Sequence, residues 1–307
     1  MLVICPHCNK KHTIDEKKIP PNAKKARCTT CGQSFVLDIK RPEESVKQKP
    51  QKGTGQARKI GVSLSKGGVG KTTTAINLSA GLALAGFKVL LVDTDTQGQD
   101  SFMLGVKPRA GLTELVTGEL SLEECLTKAR DNLFLLSGGK ALAGVKRMID
   151  RKDYGGEMTI AEALKPADSV FDFVIIDTSP GWDPITVNVL FYVTELMIPV
   201  ALEIMSLQGL SEFLRSISSI QKYRPELALK YIVPTFEDKR VKKTSRILGK
   251  IGKIYGERLC SPIRYNVRLS EAPAYGKSIY EYAPGCNGAQ DYRELVRKVA
   301  NDPKLLS

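Results

Sequence analysis

A glycine-rich loop that follows an apolar strand and precedes a helix constrains the fold of this chain more than any other stretch. A mostly apolar strand is predicted at 60–64 before the loop, and a helix-forming run at 73–85 follows it. The loop residues are Lys66, Gly67, Gly68, Val69, Gly70, Lys71, Thr72 and Thr73. Glycines allow successive N–H groups to point into one concavity, and the helix contributes the positive end of its dipole. The stretch therefore predicts a phosphate-binding loop in an α/β domain.

The loop departs from the usual G-x-x-x-x-G-K-[ST] pattern at its first position. Ser65 stands where that pattern has glycine, and a second lysine, Lys66, opens the loop. Phosphoryl transfer is accelerated mainly by stabilising charge on the transferred group, so a second cation at the phosphates would favour that chemistry. A lysine that merely faces solvent is the alternative interpretation of Lys66.

Two apolar strands are predicted to end in carboxylates. Residues 88–93 form one strand, with Asp93 at its end and Asp95 just beyond it, and residues 171–177 form the other, with Asp177 at its end. The second has the form of a Walker B strand, whose aspartate holds Mg²⁺ through water while the threonine after the loop lysine, here Thr72, ligates the ion directly. An ordinary aspartate at a strand end is the alternative for Asp177.

Strands and helices alternate along the chain from residue 60. Further strands are predicted at 133–136, 196–201 and 231–233, and helices at 112–128, 140–150, 184–194, 206–223, 240–255 and 288–300. This alternation is typical of an α/β fold with a doubly wound, mostly parallel sheet. Such sheets bind their ligand at the carboxyl ends of the strands.

Two CxxC pairs near the N-terminus predict a small zinc ribbon over residues 1–37. Cys5 and Cys8 form the first pair, and Cys28 and Cys31 form the second after 19 intervening residues. Each pair can place two thiolates on one turn, and two such turns complete a tetrahedron around Zn²⁺. A segment this short could hardly form a stable hydrophobic core without a bound metal ion that links its two turns. Metal binding by His7 or His12 and a redox-active dithiol pair are the alternatives.

The 307-residue chain carries a formal net charge of +13, concentrated at its two ends. Residues 1–59 have 14 basic against 5 acidic residues and residues 222–307 have 18 against 9, whereas residues 60–221 have 14 against 19. This distribution favours a polyanionic partner, of which nucleic acid is the commonest. Residues 38–58 are rich in Lys, Gln, Pro and Gly without apolar periodicity, and they predict a basic flexible linker.

The helix predicted at 240–255 carries a row of cations that could bind DNA. In helical register most of them share one face, because steps of three and four residues are neighbours on a helix. The cations are Lys239, Arg240, Lys242, Lys243, Arg246, Lys250 and Lys253, with Arg264 and Arg268 downstream. Such a stripe can follow DNA phosphates without reading bases. A solvated helix face is the alternative.

The sequence gives no indication of a membrane segment. No run reaches the ~20 apolar residues that would span a bilayer. Polar residues and cysteines from Cys5 to Lys10 interrupt any apolar core of a signal peptide. We therefore expect a cytoplasmic protein without a membrane partner, whose seven cysteines are thiols or metal ligands rather than disulfides.

Three segments match the motifs of one known family. They are KGGVGKTTTAINLSAGLALAGFKVLLVDTDTQGQ from Lys66, FDFVIIDTSPGW from Phe171, and the region from Leu259 to Pro273. These segments resemble the ParA (Soj-like) partition ATPases of the ParA/MinD group, which have a deviant Walker A loop. The resemblance covers residues 59–300 and implies an ATPase domain over 59–307. The departures are Leu64-Ser65, where the family usually has Asn-Gln, and Thr96 and Ser179, where it usually has proline.

The resemblance implies a role for each residue of the site. Lys71 and the loop backbone would hold the ATP phosphates, Thr72 would ligate Mg²⁺, and Asp93 and Asp177 would support the magnesium shell. Lys66 would reach across a dimer interface to the nucleotide of the other subunit, and Asp95 would orient the attacking water. ATP would thus create a sandwich dimer that hydrolysis dissolves.

The resemblance also implies a partition or positioning ATPase. Such a protein would bind nucleoid DNA non-specifically as an ATP dimer, and a ParB-like or cargo-adaptor protein would stimulate its slow hydrolysis and release it. The cargo would be a chromosome, a plasmid or a protein cluster. Two alternatives stay open: a zinc-ribbon DNA-binding regulator that uses the nucleotide as a switch, and a membrane-cycling MinD-like ATPase.

Overall fold

The computed structural model describes residues 2–13, 25–36, 55–238 and 240–306. The chain divides into two compact units, Met1–Lys49 and Pro50–Ser307. Residues 38–54 of the predicted linker and Lys239 of the predicted basic stripe lie outside the described residues. Within the described ranges, no helix is both long and apolar enough to cross a membrane.

Two antiparallel hairpins make up the described part of the first unit. The strand pairs are β1 (Leu2–Ile4) with β2 (Lys11–Thr13) and β3 (Lys25–Arg27) with β4 (Ser34–Val36). Each turn begins at the first cysteine of a CxxC pair and ends at a residue with left-handed backbone, Asn9 or Gly32. The N–H of that residue donates to the carbonyl oxygen of the first cysteine. The two turns are therefore built alike, and each carries one cysteine pair.

The second unit is built on one seven-stranded sheet. Its strands are β5 (Arg58–Val62), β6 (Val89–Asp93), β7 (Thr127–Arg130), β8 (Leu133–Leu136), β9 (Phe173–Asp177), β10 (Glu195–Ala201) and β11 (Ala228–Thr235). They are ordered β11-β10-β5-β9-β6-β8-β7. The pair β7–β8 at one edge is antiparallel, and the other pairs of this sheet are parallel. This arrangement confirms the predicted doubly wound, mostly parallel sheet.

Helices connect the strands of this sheet. They are α1 (Lys71–Leu84), α2 (Gln99–Met103), α3 (Leu112–Thr117), α4 (Leu122–Cys125), α5 (Leu142–Asp150), α6 (Thr159–Leu164), α7 (Pro184–Tyr192), α8 (Ile204–Gln221), α9 (Lys242–Tyr255), α10 (Val267–Glu271), α11 (Ile279–Tyr282) and α12 (Asn287–Ala300). The long helices α1, α5, α7, α8, α9 and α12 correspond to predicted ones. Short helices such as α2 and α6 lack the several turns over which a helical period becomes visible in sequence.

The helix predicted at 112–128 is wrong as a single element. α3 ends at Thr117, where Gly118 with a φ of 75° caps the helix, and a capping box between Ser121 and Glu124 starts α4. The last residues of the predicted helix form the edge strand β7 instead. That strand is short and contains two basic residues, Lys128 and Arg130, so its sequence lacks the apolar run of the central strands.

The order of the central strands brings the functional segments together. Every residue of β6 and β9 is buried, which explains why their sequences are continuous apolar runs rather than alternating ones. β9 lies between β5 and β6, and the strand register aligns Asp177 with Val62 on one side and with Asp93 on the other. The carboxyl ends of three strands therefore place the glycine-rich loop beside both acidic strand ends.

Candidate nucleotide and metal sites

The predicted phosphate loop joins β5 to α1 and borders a cavity of about 350 Å³. Gly68 and Gly70 have φ angles of 72° and 86°, a left-handed backbone that favours glycine. Gly70 caps α1 without a side-chain hydrogen bond, and no acidic residue lies in the first turn of the helix. The first N–H groups of α1 and the helix dipole are therefore available to a phosphate in the cavity.

Loop residues differ in which way they face. Gly67, Thr72 and Thr73 line the cavity. Val69 is buried in the core, and its carbonyl oxygen accepts a hydrogen bond from Thr235 Oγ1 at 3.0 Å. The apolar side chain of Val69 thus anchors the loop, while its glycine and threonine neighbours form the concave surface.

Lys71 is the first residue of α1 and is only 6% exposed. Its Nζ donates to the carbonyl oxygen of Lys66 at 2.9 Å, so the ammonium lies across the loop. Burial lowers the pKa of Lys71, and the carboxylates of Asp177 and Asp95 oppose that shift. A desolvated cation at the edge of a loop of N–H groups favours binding of an anion such as phosphate.

Thr72 connects the loop to the acidic end of β9. Its Oγ1 donates to Asp177 Oδ2 at 2.7 Å. Asp177 is buried, and its Oδ1 has no hydrogen-bond partner among the residues that the structure describes. Burial raises the pKa of Asp177 to about 8. A hydroxyl and a carboxylate held together in this way are oxygen ligands of the kind that Mg²⁺ prefers, so the residues present fit a magnesium ion.

Asp93 lies at the end of the neighbouring strand β6. Its carboxylate accepts the backbone N–H groups of Asp95 at 2.9 Å and of Asp100 at 3.3 Å. Burial raises the pKa of Asp93 to about 6 in spite of these hydrogen bonds, which favour the charged form. Asp93 therefore fixes the turn after β6 and adds a second buried carboxylate to the site.

Asp100, in α2, is an acidic residue of the site that the sequence analysis missed. It is fully buried, and one oxygen from each of Asp93, Asp100 and Asp177 lies within 4.8 Å of the other two. Burial, followed by the charge of Asp93, raises the pKa of Asp100 well above its usual range. One signal was available in the sequence: Gly98 lies between Asp93 and Asp100 and indicates a turn that folds one back towards the other.

Asp95 is half-buried and lines the cavity. Its Oδ1 accepts the N–H of Gln97 at 3.0 Å, and its carbonyl oxygen accepts the N–H groups of Gly98 and Gly139. These bonds fix the turn after β6. They hold the Asp95 carboxylate in the cavity, where it can accept a hydrogen bond from a water molecule.

Lys66 points towards the start of α8. Its Nζ donates to Ser206 Oγ at 3.1 Å and lies 3.6 Å from Glu203 Oε2. The Lys66 side chain is 33% exposed and that of Glu203 is 70% exposed. An ion pair this exposed contributes little to stability, so the ammonium can leave it at low cost.

The four predicted zinc ligands lie together in the first unit. The sulfurs of Cys5 and Cys31 are 3.7 Å apart, as are those of Cys8 and Cys28. A disulfide would require an S–S distance of about 2.05 Å. Zn–S bonds of about 2.3 Å place two sulfurs of a tetrahedron about 3.8 Å apart. The four-thiol donor set and its spacing therefore fit a structural zinc ion.

His12 lies beside the cysteine cluster. Its Nε2 is 3.2 Å from Cys28 Sγ, whereas His7 is exposed. Backbone N–H groups, that of Cys31 first, lower the pKa of Cys28 to about 5, and His12 adds to this effect. Hydrogen bonds to sulfur stabilise the thiolate form that binds metal, so His12 supports a ligand in this structure.

The exposed face of α9 carries the predicted basic stripe. Thr244, Ile247 and Ile251 are buried on the opposite face. The exposed cations of the helix are Lys242, Lys243, Arg246, Lys250 and Lys253. The helix contains no acidic residue, so nothing within it neutralises this surface. The stripe has the charge and spacing to follow a phosphate backbone.

The three other arginines that the sequence analysis named are paired with acidic residues. Arg264 donates to Asp291, which is only 6% exposed, with an N–O distance of 2.9 Å. Arg240 pairs with Asp238 at 2.7 Å, and Arg268 pairs with Glu271 at 2.9 Å; both arginines are exposed, and both carboxylates are half-buried. Arg264 is thereby fixed in the structure, whereas the ion pairs of the two exposed arginines contribute little to stability.

Two protein-family models match this chain. The model described as an AAA domain matches residues 57–229, and the model described as a zinc-ribbon domain matches residues 1–36. Each match includes the motif that the sequence analysis placed there, the glycine-rich loop in the first case and the four cysteines in the second.

Curated relatives and solved structures resemble the chain over most of its length. The chromosome-partitioning ATPase Soj of Thermus thermophilus is 36% identical over 246 residues, which cover 80% of this chain and 96% of that protein. The chromosome partitioning protein ParA of Caulobacter vibrioides is 32% identical over 251 residues, covering 79% and 93%. A crystal structure of cobyrinic acid a,c-diamide synthase from Mycobacterium smegmatis with bound ADP and magnesium has 30% identity and a TM-score of 0.67, covering 78% and 92%.

Proposed function

The chain belongs to the Soj/ParA family of P-loop ATPases, and on that basis we propose that it is an ATP-driven partition or positioning ATPase. In this proposal the ATP-bound chain forms a sandwich dimer, binds DNA without sequence preference and is released on hydrolysis. The cycle moves chromosome, plasmid or protein-cluster cargo. The observation that carries the proposal is the loop itself, with Lys66 at its front and the Thr72–Asp177 hydrogen bond at its base.

The phosphate loop and the acidic strand ends bind the nucleotide. Lys71 and the N–H groups of residues 67–73 hold the phosphates in the cavity that they line. Thr72, Asp93 and Asp177 are the residues that would hold Mg²⁺, Thr72 through its hydroxyl and the two aspartates through water. When bound, the ion neutralises charge on the phosphates. The Asp95 carboxylate accepts a hydrogen bond from the attacking water and aligns that water with the terminal phosphate.

Lys66 supplies the second cation across the dimer interface. In one chain by itself, the Lys66 side chain contacts Ser206 and Glu203 of that same chain. An ATP phosphate of the other subunit offers a stronger, charge-assisted hydrogen bond than these contacts. ATP therefore joins two chains, and loss of the terminal phosphate removes the group that held them together.

The dimer binds DNA through the basic stripe of α9. In this proposal Lys242, Lys243 and Arg246 of α9, together with Arg240 and Arg268, contact phosphates and place the protein on the nucleoid in the cytoplasm. Dimerisation doubles the number of cations that face one DNA segment, which makes binding dependent on ATP. A ParB-like or cargo-adaptor protein stimulates the slow hydrolysis, and the zinc ribbon adds a docking module for DNA or protein.

The test is steady-state ATP hydrolysis by the zinc-loaded full chain, alone and with non-specific duplex DNA. We expect slow turnover that DNA increases. Asp95→Asn should lower turnover about tenfold or more, because water loses its orienting acceptor, while ATP binding is retained. The control is Asp153→Asn, which removes an exposed aspartate far from Asp95 in the sequence and should leave turnover unchanged. Turnover equal in Asp95→Asn and in the wild type contradicts the assigned role.

Absence of turnover in every condition would instead favour the zinc-ribbon regulator, in which nucleotide acts only as a switch. ATP-dependent binding to anionic vesicles would favour the membrane-cycling alternative. Leu305 and Leu306 pack against the core of the second unit, so these apolar residues do not form a surface that could insert into a bilayer.

A further inference from the structure

Three buried carboxylates meet beside the phosphate loop. Asp93, Asp100 and Asp177 are each at most 1% exposed, and one oxygen from each lies within 4.8 Å of the others. Both oxygens of Asp100 and Oδ1 of Asp177 have no hydrogen-bond partner in the part of the chain that the structure describes. Buried charges in proteins are normally paired or bound to a metal, so this cluster lacks a counter-charge.

Protein cations do not occupy this position. The ion pairs found among the described residues involve none of the three aspartates. Lys71 acts on Asp177 through its charge, but its ammonium donates to the Lys66 carbonyl oxygen. The Thr72 hydroxyl is bound to the other oxygen of Asp177, Oδ2. Both oxygens of Asp100 and Oδ1 of Asp177 therefore remain open, beside an Asp93 carboxylate that accepts only backbone N–H groups.

We propose that Asp93, Asp100 and Asp177 form a binding site for a divalent cation in the nucleotide-free protein. Ca²⁺ takes oxygen ligands at about 2.3–2.6 Å and Mg²⁺ at about 2.0–2.1 Å, so one oxygen from each of the three aspartates lies close enough to the other two to share such an ion. A set of carboxylate oxygens alone selects hard cations of this kind over zinc. Lys71 offsets part of the remaining negative charge.

This site shares Asp93 and Asp177 with the magnesium position of the proposed function but is completed differently. That position is completed by ATP phosphates and by Thr72, whereas the carboxylate site requires neither. Asp100 is the ligand that distinguishes the two, since it contributes two unpartnered oxygens. A cation held here joins α2 to the carboxyl ends of β6 and β9 before ATP arrives. The inference rests on the three carboxylates and not on ATP hydrolysis.

The experiment is a Mn²⁺ titration of the nucleotide-free full chain with zinc already bound, followed by the electron paramagnetic resonance signal of free Mn²⁺. We expect one Mn²⁺ per chain in the wild type, displaced by Mg²⁺. Asp100→Asn keeps the side-chain shape but removes the charge, and it should weaken binding by about tenfold or more. Asp153→Asn, the matched change at an exposed position of the same unit, should bind Mn²⁺ as the wild type does.

Two outcomes would overturn the site: no Mn²⁺ binding by the wild type at millimolar concentration, or equal binding by Asp100→Asn and the wild type. If Asp100→Asn fails to fold, water-proton relaxation of the wild-type Mn²⁺ complex tests the site instead, because it measures how many water molecules bind the ion. A site with three buried carboxylates leaves the ion about three water ligands or fewer, whereas about five would place it on the surface and reject the proposal. Turnover is not measured here, so a failed ATPase assay and a failed titration reject different proposals.

Discussion

Lys66 shows how the partner of a residue sets its role. In one chain its ammonium contacts Ser206 and the exposed Glu203, and the latter ion pair contributes little in water. The same ammonium next to a phosphate in a closed interface acts in a lower dielectric, where each charge interaction is several times stronger. The lysine can therefore be weakly held in a monomer and still be essential to a dimer.

Lys66→Ala should abolish ATP-dependent dimerisation and leave ATP binding by the monomer within about threefold of the wild type, because Lys71 and the loop N–H groups remain. Sedimentation with a non-hydrolysable ATP analogue measures the first quantity, and equilibrium dialysis measures the second. Lys107→Ala, at an exposed lysine, is the control. Dimers of normal affinity in Lys66→Ala would refute a role across the interface.

The buried aspartates predict how stability changes with pH when divalent cations are absent. Burial raises the pKa of Asp177 to about 8 and that of Asp93 to about 6, and it also raises the pKa of Asp100 well above its usual range. The native state thus binds protons more tightly than the unfolded chain, so the free energy of unfolding falls as pH rises from about 4 to about 8. Asp95 adds to this effect, and Lys71 opposes it.

Urea unfolding at pH 5 and pH 8 in a chelator that spares the zinc ribbon, followed by the fluorescence of Trp182, measures this dependence. Trp182 is the only tryptophan of the chain and lies in the second unit. Between pH 5 and pH 8 the free energy of unfolding should fall by about 1 kcal/mol or more less in Asp100→Asn than in the wild type, because one buried charge is removed. Greater stability at pH 8 than at pH 5 in the wild type would contradict the assignment.

At the scale of elements, α1 and α12 pack closely at Gly81. A Cβ atom added at this glycine would lie 2.5 Å from Val296 Cγ2 and 2.6 Å from the Tyr280 hydroxyl oxygen. Gly81→Ala should therefore destabilise the second unit by about 1–3 kcal/mol through overpacking, despite the better helix propensity of alanine.

The matched change is Gly249→Ala in α9, where an added Cβ meets nothing within 4 Å. It should stabilise by about 0.5–1 kcal/mol, because alanine loses less conformational entropy in a helix. Urea unfolding of both variants measures the difference in sign. Stabilisation by Gly81→Ala would show that α12 can move away from α1 at little cost.

α9 has its apolar face in the core and its cations outside, so its charge can be changed without disturbing the packing. Lys243→Glu with Arg246→Glu should weaken ATP-dependent DNA binding by about tenfold or more at low salt and reduce its salt dependence. Fluorescence anisotropy with two unrelated duplexes measures both effects. Arg215→Glu with Lys222→Glu, at exposed positions of α8 and its C-terminus, reverses the same charge elsewhere. Equal loss in the two variants would point to net charge rather than to α9.

At the scale of the whole molecule, the two compact units have separate sources of stability. The first depends on four thiols in short hairpins, and the second has apolar clusters among its sheet and helices. Such a small unit buries little apolar surface, so a zinc ion held by the four thiols would supply the missing stability.

Cys31→Ser should reduce bound zinc from about one per chain to near zero and unfold the first unit, while ATP binding by the second persists. Zinc content by metal analysis and hydrogen exchange of the two units measure this outcome. Cys286→Ser is the control, since this cysteine caps α12 through its sulfur and serine also caps helices. Loss of ATP binding in Cys31→Ser would show that the units depend on each other.

Local patterns in the sequence were sufficient for much of this architecture. The glycines and lysines of residues 66–71, the apolar strands that end in Asp93 and Asp177, and the two CxxC turns each owe their conformation to neighbours a few residues away. Continuous apolar strands alternating with helices also indicated a parallel sheet covered on both faces, because only a strand buried on both sides is apolar throughout.

Tertiary structure alone decided the contacts between distant residues. The placement of β9 between β5 and β6 brings Thr72 to Asp177 across 105 residues and adds Asp100 to the two predicted aspartates. The tertiary structure also showed that residues 127–130 form an edge strand and that the Lys66 side chain contacts Ser206. The sequence determined which chemical groups this protein carries, because local preference selects loops and strands. Strand order and burial determined which groups meet and how strongly their charges interact, because both depend on the packing of the whole chain.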